Sequence, residues 1–227
     1  MTGALSPNHG PRRDGLRPTL VVIHYTAMPS AAAARDRLCD PAAEVSAHYL
    51  LSETGEALAL VPEALRAWHA GAGEWAGQGD VNSRSIGIEL ANPGNQPFAS
   101  AQMRALEGLL AGILARWAIP PQGVIAHSDM APTRKADPGP RFDWRRLALA
   151  GLAVWPAPQG PGPAPDWAIF LAALARFGYP AAPPETLLQA FRLRFRPWGQ
   201  GALAPADMAA ALDLASRFPV DGAGAGA

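Results

Sequence analysis

Two histidines, one aspartate, one glutamate and one lysine stand at positions where metal-assisted hydrolysis would use them. His24 ends the apolar run Leu20-Val-Val-Ile, and His127 ends the run Val124-Ile-Ala. Apolar runs of this length read as buried strands. Two strands that each end on an imidazole can bring both rings to one edge of a sheet. Asp137 follows His127 by ten positions, on a segment with prolines at 132, 138 and 140. Those prolines make a regular helix or strand implausible, so the segment reads as a stiff polar loop. A polar surface turn is its ordinary reading. Joined to His24, it offers two nitrogen ligands and one oxygen ligand with a fourth position open, the donor set of a catalytic Zn2+ site. Ligand type alone does not fix the metal, but an open set of two imidazoles and one carboxylate favours zinc over nickel or iron.

Such a site also needs a base and a partner for the oxyanion. Glu89 lies in Ser85-Ile-Gly-Ile-Glu89-Leu, an acid among apolar neighbours, where a carboxylate wants a reason to be. It is the candidate general base; an ion pair with Arg84 or Arg104 is the plain alternative. Lys135, two residues before Asp137, can place a point charge on the oxyanion.

Five blocks carry a family resemblance, in this order: His24-Tyr-Thr, Val45-Ser-Ala-His-Tyr-Leu-Leu, Ala67-Trp-His-Ala-Gly, Asn82-Ser-Arg-Ser-Ile-Gly-Ile-Glu-Leu and the stretch from Ala126 to Gly139. Together they resemble the zinc-dependent N-acetylmuramoyl-L-alanine amidases of the AmpD type over roughly residues 15–150. The version of that family with an added carboxy-terminal helical domain is the more similar one. The resemblance implies cleavage of the amide between the lactyl group of muramic acid and the first L-alanine of the peptidoglycan stem peptide. It also implies His24, His127 and Asp137 as ligands and Glu89 as the catalytic glutamate. Tyr25 and Asn92 follow closely on ligand and base and are candidates for the cleft wall. His69 is a candidate contact to sugar or peptide, and Arg84 or Arg134 could hold a peptide carboxylate through a bidentate fork. His48 is either a cleft residue or a hydrogen-bonded core histidine. A zinc peptidase on other peptides and a non-catalytic peptidoglycan recognition protein are the alternatives; the complete ligand set, Glu89 and Lys135 weigh against the second.

Composition narrows the partners. The 227 residues carry 19 basic and 19 acidic side chains, a balance that does not point to nucleic acid or an anionic membrane surface. A peptidoglycan or muropeptide substrate and a monomer are expected. The single cysteine, Cys39, excludes an internal disulfide and a thiolate-rich metal site. The amino-terminal residues lack the apolar core of a signal peptide, and no apolar run approaches the roughly 20 residues of a membrane span. The sequence as given therefore reads as cytoplasmic; a trimmed or misplaced start would make it periplasmic or envelope-bound.

The elements that must position these groups alternate. Residues 1–17 are expected to wrap the surface, and His9 among them has no assigned role. Strands are predicted over 18–25, 45–52, 57–61, 85–91 and 122–127. Helices are predicted over 30–38, capped by Ser30, over 100–117, capped by Ser100, and over 142–150. This is an α/β domain, residues 18–154, with a mixed central sheet flanked by helices. Residues 155–165 are too rich in Pro and Gly for regular structure. Beyond them, helices over 166–177, 184–195 and 205–218 form a small three-helix unit resembling peptidoglycan-binding modules. Its inward residues are expected to include Phe170, Leu174, Phe177, Phe191, Met208 and Leu212. At about 55 residues such a unit is near the lower limit of independent stability, so it should dock on the first domain. Residues 220–227 read as a disordered tail.

Overall fold

The computed structural model of the protein describes residues 6–158 and 160–220, so residues 221–227 of the expected tail lie outside it. The strands are β1 (His9–Gly10), β2 (Leu20–Tyr25), β3 (Tyr49–Leu51), β4 (Ala57–Ala59), β5 (Arg66–Ala67), β6 (Ser85–Leu90) and β7 (Val124–Ala126). The helices are α1 (Ala31–Cys39), α2 (Val81–Arg84), α3 (Ser100–Trp117), α4 (His127–Met130), α5 (Trp144–Leu149), α6 (Trp167–Phe177), α7 (Pro184–Phe195) and α8 (Pro205–Arg217).

Five strands form the central sheet in the order β4-β3-β6-β2-β7. β3, β6, β2 and β7 run parallel, and β4 joins antiparallel at one edge. Strands buried on both faces need apolar side chains at every position, which is why β2 reads as a continuous apolar run. The register decides the chemistry. His24 pairs with Glu89 across β2 and β6. Ile23 pairs with Ala126 across β2 and β7, so His127 emerges next to His24. All three leave the sheet at the carboxyl ends of parallel strands, where ligands of open α/β sheets bind.

Each face of the sheet has its own cover. Val21, Ile23, Ile86, Ile88 and Val124 pack on Met103, Leu106, Leu110 and Ile113 of α3 and on Trp144 and Leu147 of α5. The 18-residue α3 forms because its apolar positions recur at helical spacing. Each fully buried Leu or Ile there contributes about 1.5–3 kcal/mol. Leu20, Val22 and Ile125, on the opposite face, share one core with Phe170, Phe177, Phe191, Phe195 and Met208. The three carboxy-terminal helices therefore form the second cover of the sheet. Asp166 caps α6 by accepting from the Ile169 amide, as expected.

Several local expectations are corrected. Ser100 is the first helical residue of α3, not its cap; Ala99 holds that place, and the Ser100 hydroxyl accepts from Arg104. Only residues 49–51 of the stretch 45–52 pair as a strand: the Ser46 amide donates to the Trp68 carbonyl, and the Gly87 amide of β6 donates to the His48 ring. His127 opens a helical turn instead of ending a strand, since the Asp129 carboxylate accepts from the Ala126 amide and turns the chain. Leu212 is exposed; the stripe of α8 runs through Met208, Ala211, Leu214 and Ala215. The amino-terminal segment does more than wrap the surface. Ser6 and Asn8 are buried, β1 pairs with β5, and Arg12 donates to the carbonyls of Glu63, Asn82, Ser83 and Ser85.

Candidate active site

His24, His127 and Asp137 come from three segments and meet at one point, all of them buried. Nδ1 of His24 lies 2.9 Å from Nδ1 of His127 and 3.0 Å from Oδ2 of Asp137. Nδ1 of His127 is also 3.0 Å from that oxygen. Three donors around one tetrahedral cation, each about 2.0 Å from it, would stand about 3.3 Å apart. The triangle is close to that size. Nε2 of His127 lies 3.1 Å from the Ala70 carbonyl, an acceptor only, so this nitrogen carries the ring proton and Nδ1 presents its lone pair. Burial and the neighbouring His127 lower the His24 pKa to about 4, so its ring is neutral at pH 7. Neutral imidazoles and a carboxylate are the protonation states a divalent cation requires.

The triangle opens into a cavity of about 490 Å³. Glu89 lines it, and its Oε2 is buried with no hydrogen-bond partner. Desolvation, reinforced by the charge of Asp137 and opposed by Lys135, raises its pKa from 4.5 to about 8. A buried carboxyl with a free oxygen and a pKa near neutrality is suited to moving a proton. Lys135 lines the same cavity from the loop and makes no ion pair among the described residues. The alternative of Glu89 paired with Arg84 or Arg104 does not occur. Arg84 donates to the Trp75 and Gln78 carbonyls, and Arg104 donates to Ser100.

The remaining candidates divide. Tyr25, His69 and Arg134 line the cavity with the ligands. Arg134 also donates to the carbonyls of Ala70 and Ala72, which ties the loop to the segment after His69. Three candidates fall outside the cavity wall. His48 is fully buried, its Nδ1 accepting from the Gly87 amide and its Nε2 3.1 Å from the Leu65 carbonyl; it is a core histidine. The buried Arg84 binds carbonyls as described. Asn92 organises its own loop, with Oδ1 accepting from the Gly94 amide and Nδ2 donating to Gln96 and Pro97. Reasoning from residues overlooked Arg37, Met28 and Trp68 in the wall and Ser85 behind it. Arg37 lies in the last turn of α1, and nothing in the sequence turned it toward the cleft. Ser85 had a signal: it is a polar residue at the head of a strand buried at every position but Glu89.

The comparisons with known proteins bear on the family and the fold. Residues 14–140 match the Amidase_2 family, N-acetylmuramoyl-L-alanine amidase. The N-acetylmuramoyl-L-alanine amidase AmiD of Escherichia coli (strain K12) is 39% identical over 212 residues, covering 78% of this chain and 75% of that protein. The 1,6-anhydro-N-acetylmuramyl-L-alanine amidase AmpD of Enterobacter cloacae is 35% identical over 159 residues, 63% of this chain and 85% of its own length. Among solved structures, E. coli AmiD in complex with anhydro-N-acetylmuramic acid-L-Ala-D-gamma-Glu-L-Lys superposes with a TM-score of 0.82 at 35% identity, over 97% of this chain and 94% of the other. AmpDH3 from Pseudomonas aeruginosa gives 0.80 at 31% identity, over 91% and 94%. A family match over more than half the chain, with relatives similar across both of its sheet covers, places this protein in the N-acetylmuramoyl-L-alanine amidase family.

Proposed function

We propose that this amidase is zinc-dependent and hydrolyses the amide between the lactyl group of anhydro-N-acetylmuramic acid and the L-alanine of a stem peptide. The observation that carries the reading is the convergence of the His24, His127 and Asp137 donor atoms in one cavity with the unpartnered Glu89 oxygen. The substrate class is supported by the ligand in the similar E. coli AmiD complex and by the anhydromuramic pentapeptide bound to P. aeruginosa AmpDH3. His24, His127 and Asp137 come from one chain, so a single protomer carries the whole ligand set.

His24, His127 and Asp137 would hold the ion. When bound, zinc supplies Lewis acidity, bringing the pKa of water to about 7 and polarising the scissile carbonyl. The protein's own groups do the rest. Glu89 accepts the proton of the attacking water on its free oxygen and returns it to the leaving alanine nitrogen. Lys135 sets its positive charge against the oxyanion that develops on the carbonyl, a contribution of about 3–4 kcal/mol for donors of this kind. Tyr25 and Arg134 form the wall against which sugar and peptide would lie.

The test is product analysis. Zinc-loaded protein is incubated with anhydro-muropeptide and with intact sacculi, and the products are identified by mass. Release of free stem peptide from the fragment alone fits recycling in the cytoplasm. Release from sacculi fits action in the envelope. Cleavage within the peptide instead would identify a peptidase, and no cleavage of either substrate with metal bound would defeat the enzyme reading. Glu89→Gln should retain zinc and lose about 10²–10⁴-fold in kcat; full activity would place the base elsewhere.

A further inference from the structure

We propose that His69 is a positioning residue for the metal site: with Ser85 and the Val81 carbonyl it forms a proton-ordered relay that locks the His24 ring with its hydrogen on Nε2 and its lone pair on Nδ1, facing the cation. The inference rests on the zinc reading above.

The relay is read from its far end. The Ser85 hydroxyl lies 2.5 Å from the Val81 carbonyl, which can only accept, so its one proton points there. Nε2 of His69 lies 3.1 Å from the same hydroxyl oxygen. With the serine proton committed, His69 must donate through Nε2. A ring that gives its one hydrogen to Ser85 from Nε2 keeps its lone pair on Nδ1. That Nδ1 is 3.0 Å from Nε2 of His24, which must therefore carry the hydrogen. What remains to His24 is the Nδ1 lone pair, at the vertex shared with His127 and Asp137. No hydrogen is left among the three facing atoms.

This ordering matters because His24 has a competing state. Its Nδ1 is 3.0 Å from the Asp137 carboxylate. A hydrogen on Nδ1 would make a charge-assisted bond to that oxygen and occupy the cation's place. In that state Nε2 would face the His69 lone pair with a second lone pair, and the relay makes this costly.

The rest of the local structure holds His69 in line. Its backbone amide and that of Ala70 both donate to the Asn82 side-chain oxygen, at 3.0 and 2.8 Å. Its ring lies against Gly87, where a Cβ would come within 2.4–2.6 Å of three ring atoms. Only glycine at that position of β6 leaves room for the imidazole. Both ring nitrogens of His69 are engaged in the relay, so neither is free for sugar or peptide.

The test measures zinc affinity of the full chain by chelator competition, with the visible spectrum of the cobalt-substituted protein as a second readout. His69→Phe keeps a flat ring over Gly87 without polar atoms. Ser85→Ala removes only the acceptor at the end of the relay. Both should weaken zinc binding, His69→Phe by about 10–100-fold, the usual cost of losing a group that orients a metal ligand. His69→Asn puts a carbonyl oxygen where Nδ1 stands and should recover most of what phenylalanine loses. Affinities within twofold of wild type for both His69→Phe and Ser85→Ala would overturn the proposal. So would a raised KM for His69→Phe at unchanged zinc affinity, which would make His69 a substrate contact. If His69→Phe does not fold, Ser85→Ala decides: weakened zinc binding supports the relay and unchanged binding overturns it. A wild-type protein that binds no zinc would defeat the zinc reading itself, a distinct result.

Discussion

Asp129 and Asp137 stand eight residues apart, one in α4 and one on the loop after it, both are buried, and they meet opposite surroundings. Asp129 is answered by the protein. Its carboxylate accepts from the Ala126 amide at 2.8 Å, from the Tyr179 hydroxyl at 2.6 Å and from the Arg194 guanidinium. Arg194 also donates to the Val124 carbonyl at 2.9 Å and stacks on Trp144, 4.4 Å from the ring centre. A buried charge needs partners of this kind or it shifts its protonation. Asp137 has no such guanidinium in contact; the rings of His24 and His127 face it. The first aspartate is a completed tie between the carboxy-terminal helices and the strand that delivers His127. The second has a place beside it for a positive charge. Two buried carboxylates in one segment thus separate into structure and chemistry by whether the fold supplies the counter-charge.

That contrast can be broken in four ways. The largest effect should come from Asp137→Asn, which abolishes turnover and zinc binding. Zinc at a thousandfold above its Kd stabilises wild type by about 4 kcal/mol; the variant's melting temperature should not respond to zinc. A zinc-dependent shift in the variant would show that Asp137 is not a ligand. Asp129→Asn comes next. It leaves Arg194 buried without its full counter-charge and should cost about 3–5 kcal/mol in denaturant unfolding. A loss below 1 kcal/mol would remove the distinction between the two aspartates.

The pH dependence of the metal-free protein follows in size. His24 and His48, lowered from 6.5 to about 4 mainly by burial, contribute stability that is lost as pH falls from 6.5 toward 4. Glu89, raised from 4.5 to about 8 by burial and by Asp137, works in the other direction. Its contribution is full below 4.5 and is lost as pH rises toward 8. The metal-free protein should therefore be most stable near pH 6.5 and lose about 2 kcal/mol from there to pH 8, at about 1.4 kcal/mol per unit. Glu89→Gln should flatten the alkaline side, which thermal melts across that range would check. The smallest effect is that of Tyr179→Phe. Asp129 keeps two partners, so the loss should be about 1.5 kcal/mol, with kcat unchanged. A large fall in kcat would mean that the tie reaches the active site directly.

The ligand triad and Glu89 were legible as candidates because each stands out against its own surroundings. His24 and His127 interrupt apolar runs, Glu89 lies inside one, and Asp137 sits on a proline-stiffened loop. Lys135 was legible through its distance of two residues from Asp137. His48, Arg84 and Asn92 carried equally polar signals, yet they spend them on backbone groups inside the fold. Ser85 and Arg37 were passed over for the converse reason, since their significance depends on what stands opposite them.

The local facts were therefore settled by residue order alone: which runs are apolar, where helices α1 and α6 are capped, which side chains can bind a cation, and that the charge is balanced. Tertiary structure decided everything that depends on register and on which faces meet. The pairing of His24 with Glu89, the covering of the second sheet face by the carboxy-terminal helices, and the direction of each proton along His24, His69 and Ser85 belong to this class. The physical reason is that polarity and period are properties of neighbours along the chain. A hydrogen bond between groups 45 residues apart, as between His24 and His69, exists only once the sheet has brought them within 3.0 Å.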